Sequence, residues 1–224
     1  MEEWTFISGE VMPALNRGLW VTLQLVAPSI VFGVILGFTT GAVRVYGPKP
    51  LARLGDFYAN IFRGTPLLVQ LFILYFGLTK VGIMLEPYTA AVLGFTLCTA
   101  AYQSEYVRGG FMSIKRSQMA AAQALGFSTF KTVIWVIMPQ ALRRALPGCA
   151  NEIVYLIKYS SLAYTITCIE LTGEGKAVAS LHFKFTEVFL MVGLYYLLMV
   201  SLASWAVRIL ERKLALPGFE MRGG

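Results

Sequence analysis

Ser117–Pro139 reads SQMAAAQALGFSTFKTVIWVIMP, and its punctuation fixes how the rest of the chain must be arranged. From Ser117 to Phe130 there is no charge, yet the stretch is too short to cross a bilayer and Gly126 interrupts it. Met119–Leu125 consists of strong helix formers, and Gly126 stands where a glycine after the cap residue ends a helix. Ser128 is placed to N-cap a second helix, in which Phe130, Val133, Ile134 and Ile137 form one apolar stripe at helical spacing. Pro139 ends or kinks that second helix. The expectation is a short helix, a sharp glycine turn and another short helix over 117–139, lying on or just below a membrane surface.

Outward from this loop the composition is that of a membrane protein. Of 224 residues, 57% are hydrophobic and 14% charged, with a mean hydropathy of +0.65. A soluble domain carries roughly a quarter charged residues. The net charge of +7 could suit a nucleic-acid binder, but the basic residues are spread between apolar runs instead of gathered on one face, which excludes that partner. Cys98, Cys149 and Cys168 lie far apart without CxxC or Cys/His spacing and read as buried, inert thiols. The Met-Glu-Glu start lacks the basic opening of a signal peptide, so the first apolar run is expected to remain as a span.

Long uncharged runs give five spans, at 18–43, 57–79, 87–104, 147–169 and 188–207. The second contains Arg63, near enough to its end to snorkel, and the fourth contains Glu152 and Lys158 among apolar or small residues. With the N-terminus outside and the C-terminus inside, Arg44, Lys49, Arg53, Arg63, Arg108, Lys115, Arg116, Lys131, Arg143, Arg144, Arg208, Arg212, Lys213 and Arg222 all fall on the cytoplasmic side. That satisfies the positive-inside rule. The chain is therefore expected to be a single all-α transmembrane domain over 1–224, with the 117–139 loop in the cytoplasm between helices three and four.

At the 117–139 loop the sequence resembles the ABC importer permeases of the polar amino acid type, the histidine/glutamine permease family with the MetI-like fold. Their loop pattern is EAA, three residues, Gly, nine residues, Ile, one residue, Leu-Pro; here Ala120-Ala121-Ala122, Gly126, Val136, Met138 and Pro139 fall at that spacing. RGTPLLVQLF (63–72), AYQSEYVRGG (101–110), ALGFS (124–128), MPQALRRALPG (138–148) and KYSSL (158–162) also look like that family. The resemblance implies that 117–125 is a coupling helix, with Ala120, Ala121, Ala122, Leu125, Gly126 and Pro139 as the coupling residues. It would seat in a groove on a cytoplasmic ATPase dimer that binds ATP and Mg. It further implies a second permease subunit, an extracytoplasmic solute-binding protein, a polar amino acid as cargo, and residence in the inner membrane as a multi-pass protein. Two departures stand out: Ala120 replaces the family's usual Glu, and Tyr159 replaces the acid of KDTSL. A loop that lacks its acid suits a subunit paired with an unlike, more typical one, so a heterodimer is favoured.

The chain itself offers no energy source. It has no GxxxxGK[ST] loop, because Ala177 follows Gly175-Lys176 and Glu170 stands where the first Gly belongs. No HExxH or GxSxG occurs, no metal-ligand spacing is present, and the single His182 reads as a solvated loop residue. This points away from an enzyme and away from a cofactor held by this chain. On helix four, Asn151, Lys158, Ser161 and Thr165 share one stripe at 100° per residue, with Glu152, Tyr155 and Tyr159 on the adjacent face. Glu152 and Lys158, six apart, cannot neutralise each other along the helix. Tyr102, Asn151, Glu152, Lys158 and Ser161 are thus the candidate solute-pathway residues, and interhelical bonding is the equally weighted structural reading. Glu105 and Arg108 are expected to pair and position the loop. The alternatives are a permease half for another small polar solute, or an ATP-independent channel or secondary transporter; the second would need matching broken helices in two halves, which five unequal spans do not offer.

Overall fold

Gly33, Gly37 and Gly41 recur every four residues along α2 (Met12–Tyr46), and this row sets a close seam of the bundle. A Cβ at Gly37 would stand 2.4 Å from the Cβ of Gln103 and 2.9 Å from the carbonyl of Ala100, both on α5 (Pro87–Met112). Glycine lets two helix backbones approach this closely, a packing mode that serves where helices gain little from leaving lipid. The computed structural model describes residues 2–214, and every regular element in that range is helical. Arg222, counted above on the cytoplasmic side, lies outside the described residues.

The chain opens with α1 (Glu2–Phe6), which passes through a π-turn over Ile7–Val11 directly into α2. Pro28 inside α2 lacks the N–H that would bond the carbonyl of Gln24. The Tyr88 hydroxyl donates to that carbonyl instead, at 3.0 Å, so the proline is accommodated without a break. The second expected helix behaves differently. Over 57–79 the structure has not one straight helix but the end of α3 (Lys49–Gly64) and then α4 (Leu67–Phe72) with its continuation to Val81, and the two pieces meet at 105°. Pro66 is the cause: it forces Thr65 into an extended conformation and again orphans a carbonyl, that of Phe62. The Gln70 amide donates to Phe62 at 2.7 Å and to the Thr65 carbonyl at 3.0 Å, which holds the bend.

After α5 come the short α6 (Arg116–Ala124) and α7 (Thr129–Thr132), a π-turn over Val133–Ile137, and α8 (Met138–Tyr159). The second loop helix therefore does not stop at Pro139. It runs through the π-turn into the fourth long helix, with Pro139 set directly after the widened π-turn, a place where the i to i−4 ladder is already shifted. The expected 147–169 helix thus begins nine residues earlier, and beyond Tyr159 it tightens into a 3-10 turn over Ser160–Ile166. The expected outer loop also contains an element, α9 (Leu171–His182), before α10 (Phe185–Leu214) closes the bundle.

Three clusters hold these helices together. Leu25, Leu71, Phe95, Leu156 and Ile166 fill the middle; Val11, Leu15, Leu171 and Val188 fill one end, and Val107, Phe111, Ile137 and Ala141 the other. The outside is apolar too: Phe32 and Ile35 on α2, and Leu190, Leu197, Leu202 and Trp205 on α10, are exposed. A surface of this kind is stable only in lipid. By length and composition two helices, Glu3–Tyr46 and Phe185–Lys213, are apolar enough to cross a membrane, and a third if the bent pair is one span. α5 is packed on several sides by other helices, and α8 carries Glu152 and Lys158, so neither displays a continuous apolar coat.

Candidate functional site

The 117–139 loop emerges at the end of the bundle that carries the basic residues, and its geometry follows from two local rules. Gly126 has φ +85°, a left-handed conformation that an L side chain adopts only at a cost. Its N–H bonds the carbonyl of Gln123 at 2.9 Å, and the N–H of Phe127 reaches back to Ala122 at 3.1 Å, forming a Schellman cap. Ser128 then accepts from the N–H of Lys131 at 3.3 Å and starts α7. Ala122 packs inward. Ala120, Ala121, Gly126 and Pro139 are exposed, Leu125 is 80% exposed and Phe130 74%. The result is a rigid, small-residue knuckle with two bare apolar side chains at its tip.

Behind the knuckle lies a charge cluster wider than the expected Glu105–Arg108 pair. Arg44 of α2 is the hub, with 4% of its side chain exposed; it bonds Asp56 at 2.8 Å, Glu105 at 2.9 Å and the Ser104 hydroxyl at 3.0 Å. Arg63 stays exposed while it reaches Glu105 at 3.2 Å and lies over the Tyr102 ring at 5.6 Å. Arg108 hydrogen-bonds Glu105 as expected. That contact above all, with Arg44 adding to it against partial burial, holds the Glu105 carboxyl down at about 2. The hub was invisible in sequence because Arg44 and Glu105 are far apart along the chain, and no local spacing pairs them.

The polar stripe on α8 is placed as its periodicity indicates only as far as Lys158. Asn151, Tyr155, Lys158 and Tyr159 are exposed; the two tyrosine rings stack at 5.9 Å, and the Lys158 ammonium lies 4.0 Å from the Tyr155 ring centre. Glu152 is 4% exposed and makes no ion pair or hydrogen bond among the described residues. Tyr102, Tyr106 and Tyr159 all lie within its electrostatic reach. Glu152 and Lys158 are thus apart, as their six-residue spacing requires. Ser161 and Thr165 leave the stripe because the helix tightens at Ser160, and their hydroxyls bond the carbonyls of Lys158 and Leu162.

The opposite end holds residues expected to form a loop, and there the structure has a helix instead. Glu170 is fully buried: it N-caps α9 through the N–H groups of Thr172 at 2.9 Å and Gly173 at 3.0 Å, and accepts from the Tyr196 hydroxyl at 2.8 Å. An acid ahead of the small-residue run LTGEG is a capping signal, and it could have revealed α9. His182 is not a solvated loop residue either. It ends α9, faces Glu10 at 2.5 Å and meets the Phe6 ring edge-on at 4.9 Å.

A family model described as "binding-protein-dependent transport system inner membrane component" matches residues 3–216. The probable amino-acid ABC transporter permease protein PatM of Vibrio harveyi is 40% identical over 190 residues, covering 84% of this chain and 85% of that protein. The nopaline transport system permease protein NocM of Agrobacterium fabrum is 37% identical over 212 residues, covering 90% and 88%. Among solved structures, a crystal structure of an amino acid ABC transporter with histidines superposes with a TM-score of 0.84 at 29% identity, covering 90% of this chain and 94% of that one.

Proposed function

The chain belongs to the binding-protein-dependent transport system inner membrane component family, and from that membership we propose how its parts divide the work of import. It is the permease component of an amino-acid ABC importer in the inner membrane, a transport subunit and not an enzyme. In our reading the chain is one domain of five spans, N-terminus outside and C-terminus inside. The basic end then faces the cytoplasm, and the knuckle over 117–125 seats in a partner ATPase dimer that binds ATP and Mg. The end built on Glu170 and α9 faces an extracytoplasmic solute-binding protein. A second permease subunit completes the pathway.

The observation that carries this reading is the knuckle itself. Gly126 locks a helix end whose Leu125 and Phe130 project from the basic end with nothing covering them, which is what a docking tip requires and a solvated loop does not. The cargo is a polar amino acid. Asn151, Glu152 and Lys158, with Tyr102 within electrostatic reach of Glu152, offer a carboxylate and an ammonium held apart, suited to the ammonium and carboxylate of a zwitterion. Closure of the ATPases would move the knuckle, and the Glu105 cluster would transmit that motion to α2, α3 and α5.

The test is uptake into proteoliposomes containing the complete transporter. Gly126→Asp, which strains the turn by about 1–2 kcal/mol and sets a charge on the docking tip, should abolish ATP-driven uptake while the membrane subunits still assemble. Lys158→Gln should raise the KM for uptake and leave basal ATP hydrolysis intact. Uptake that ignores ATP and Gly126→Asp alike would remove the coupling assignment. An unchanged KM in Lys158→Gln would remove Lys158 from the pathway.

A further inference from the structure

α8 has a second face, turned away from the polar stripe. Leu142 and Asn151 are nine residues apart, roughly half a turn around the helix. Leu142, Leu146 and Cys149 look across a groove of about 420 Å3 toward Val34 and Phe38 of α2 and Val107 of α5. The one buried amide in its wall, Gln103, is already committed, donating to the Cys149 carbonyl at 3.0 Å. The single charge is Arg143, exposed in the lining and without an ion pair or hydrogen bond among the described residues. Its neighbour Arg144, by contrast, donates to the Ser113 carbonyl at 2.6 Å.

Depth decides what fits. Val107 lies two residues beyond Glu105, at the level of the charge cluster, whereas Val34 is ten residues back from Arg44, about 15 Å along the helix. The groove therefore runs from the headgroup level to about half the depth of a hydrocarbon core roughly 30 Å thick. A helix about 10 Å across would fill the groove's volume with about one turn, too little to follow it over that depth. A single extended hydrocarbon chain can.

We propose that this groove holds one acyl chain of an anionic phospholipid, with the phosphate paired to Arg143. The chain covers apolar side chains that no other element of the bundle covers. The phosphate supplies the anion that a lone guanidinium near the membrane surface lacks, and phosphate geometry matches its paired N–H donors. The site lies on the side of α8 away from the candidate solute pathway, so it is independent of which solute is carried.

The experiment uses the complete transporter in bilayers containing phosphatidylglycerol with a diazirine at mid-chain, illuminated and then mapped by mass spectrometry. Adducts are expected on 34–38 and 142–149, displaced by unlabelled phosphatidylglycerol in preference to phosphatidylcholine. Arg143→Gln should reduce that preference about fivefold, the effect of one basic side chain near an anionic surface. Val34→Trp should remove these adducts while labelling of the outward face of α10 at Leu197 persists, which reports a chain still folded in the membrane. Labelling spread evenly over all outward helices, equal competition by the two lipids, displacement by inorganic phosphate alone, or groove peptides left unlabelled beneath a partner subunit would each overturn the assignment. The wild-type competition and Arg143→Gln decide the matter even if Val34→Trp does not assemble.

Discussion

Glu105 receives guanidinium groups from three helices' worth of chain: Arg44 from α2, Arg63 from α3 and Arg108 from its own turn of α5. Such convergence at the root of the loop makes one carboxylate answer for the position of several elements, and its acidity records this. With the carboxyl lowered from 4.5 to about 2, its stabilising contribution is complete above about pH 4.5 and is lost as pH falls toward 2. Because the cluster is partly open to solvent, the contribution is on the order of 1 kcal/mol. Glu105→Gln should accordingly melt lower than wild type at neutral pH in detergent, and the two melting temperatures should converge as pH falls through that interval. Curves that stay parallel all the way down would show that Glu105 is not the group holding the helices.

Elements are decided here by backbone approach, and the glycines can be sorted by what a side chain would meet. Gly37→Val drives a Cβ into Gln103 and Ala100 of α5 and should cost about 1–3 kcal/mol as overpacking. Gly109→Ala, at a helix position with nothing within 4 Å, should gain up to about 1 kcal/mol from helix propensity. Thermal melts of the two variants that shift in the same direction would contradict the α2–α5 seam. The same distinction explains what could be read from the sequence. The Gly126 stop and the Ser128 cap are rules spanning three or four residues, so they were legible, as was the separation of Glu152 from Lys158. The 105° break was not, because hydropathy over 57–79 is blind to Pro66 orphaning the Phe62 carbonyl and to Gln70 reaching back to satisfy it. For α9 the Glu170 cap was a local signal, but its packing was not legible, because its small face meets α2 and α10, with Gly175 against Val192 and Leu171 against Gly18.

At the scale of the whole molecule, an exposed knuckle, an exposed polar face on α8 and a buried Glu152 without an ion pair among the described residues are the features that the proposed pairing with a second permease subunit would cover. The knuckle carries Ala120 where the family resemblance leads one to expect Glu, and Ala120 is exposed, so the acid is missing from the face proposed to dock on the ATPase. A subunit can tolerate that loss if an unlike partner supplies the stronger contact, since charge-assisted bonds are about twice as strong as neutral ones. We therefore expect the intact transporter to purify with two different permease chains. A complex forced to assemble on this chain alone should hydrolyse ATP with little uptake per ATP, and Ala120→Glu should raise that ratio. If the native complex contains a single permease species and Ala120→Glu leaves its transport-to-hydrolysis ratio unchanged, the alanine is simply compatible with full coupling, and the case for an unlike partner falls with it.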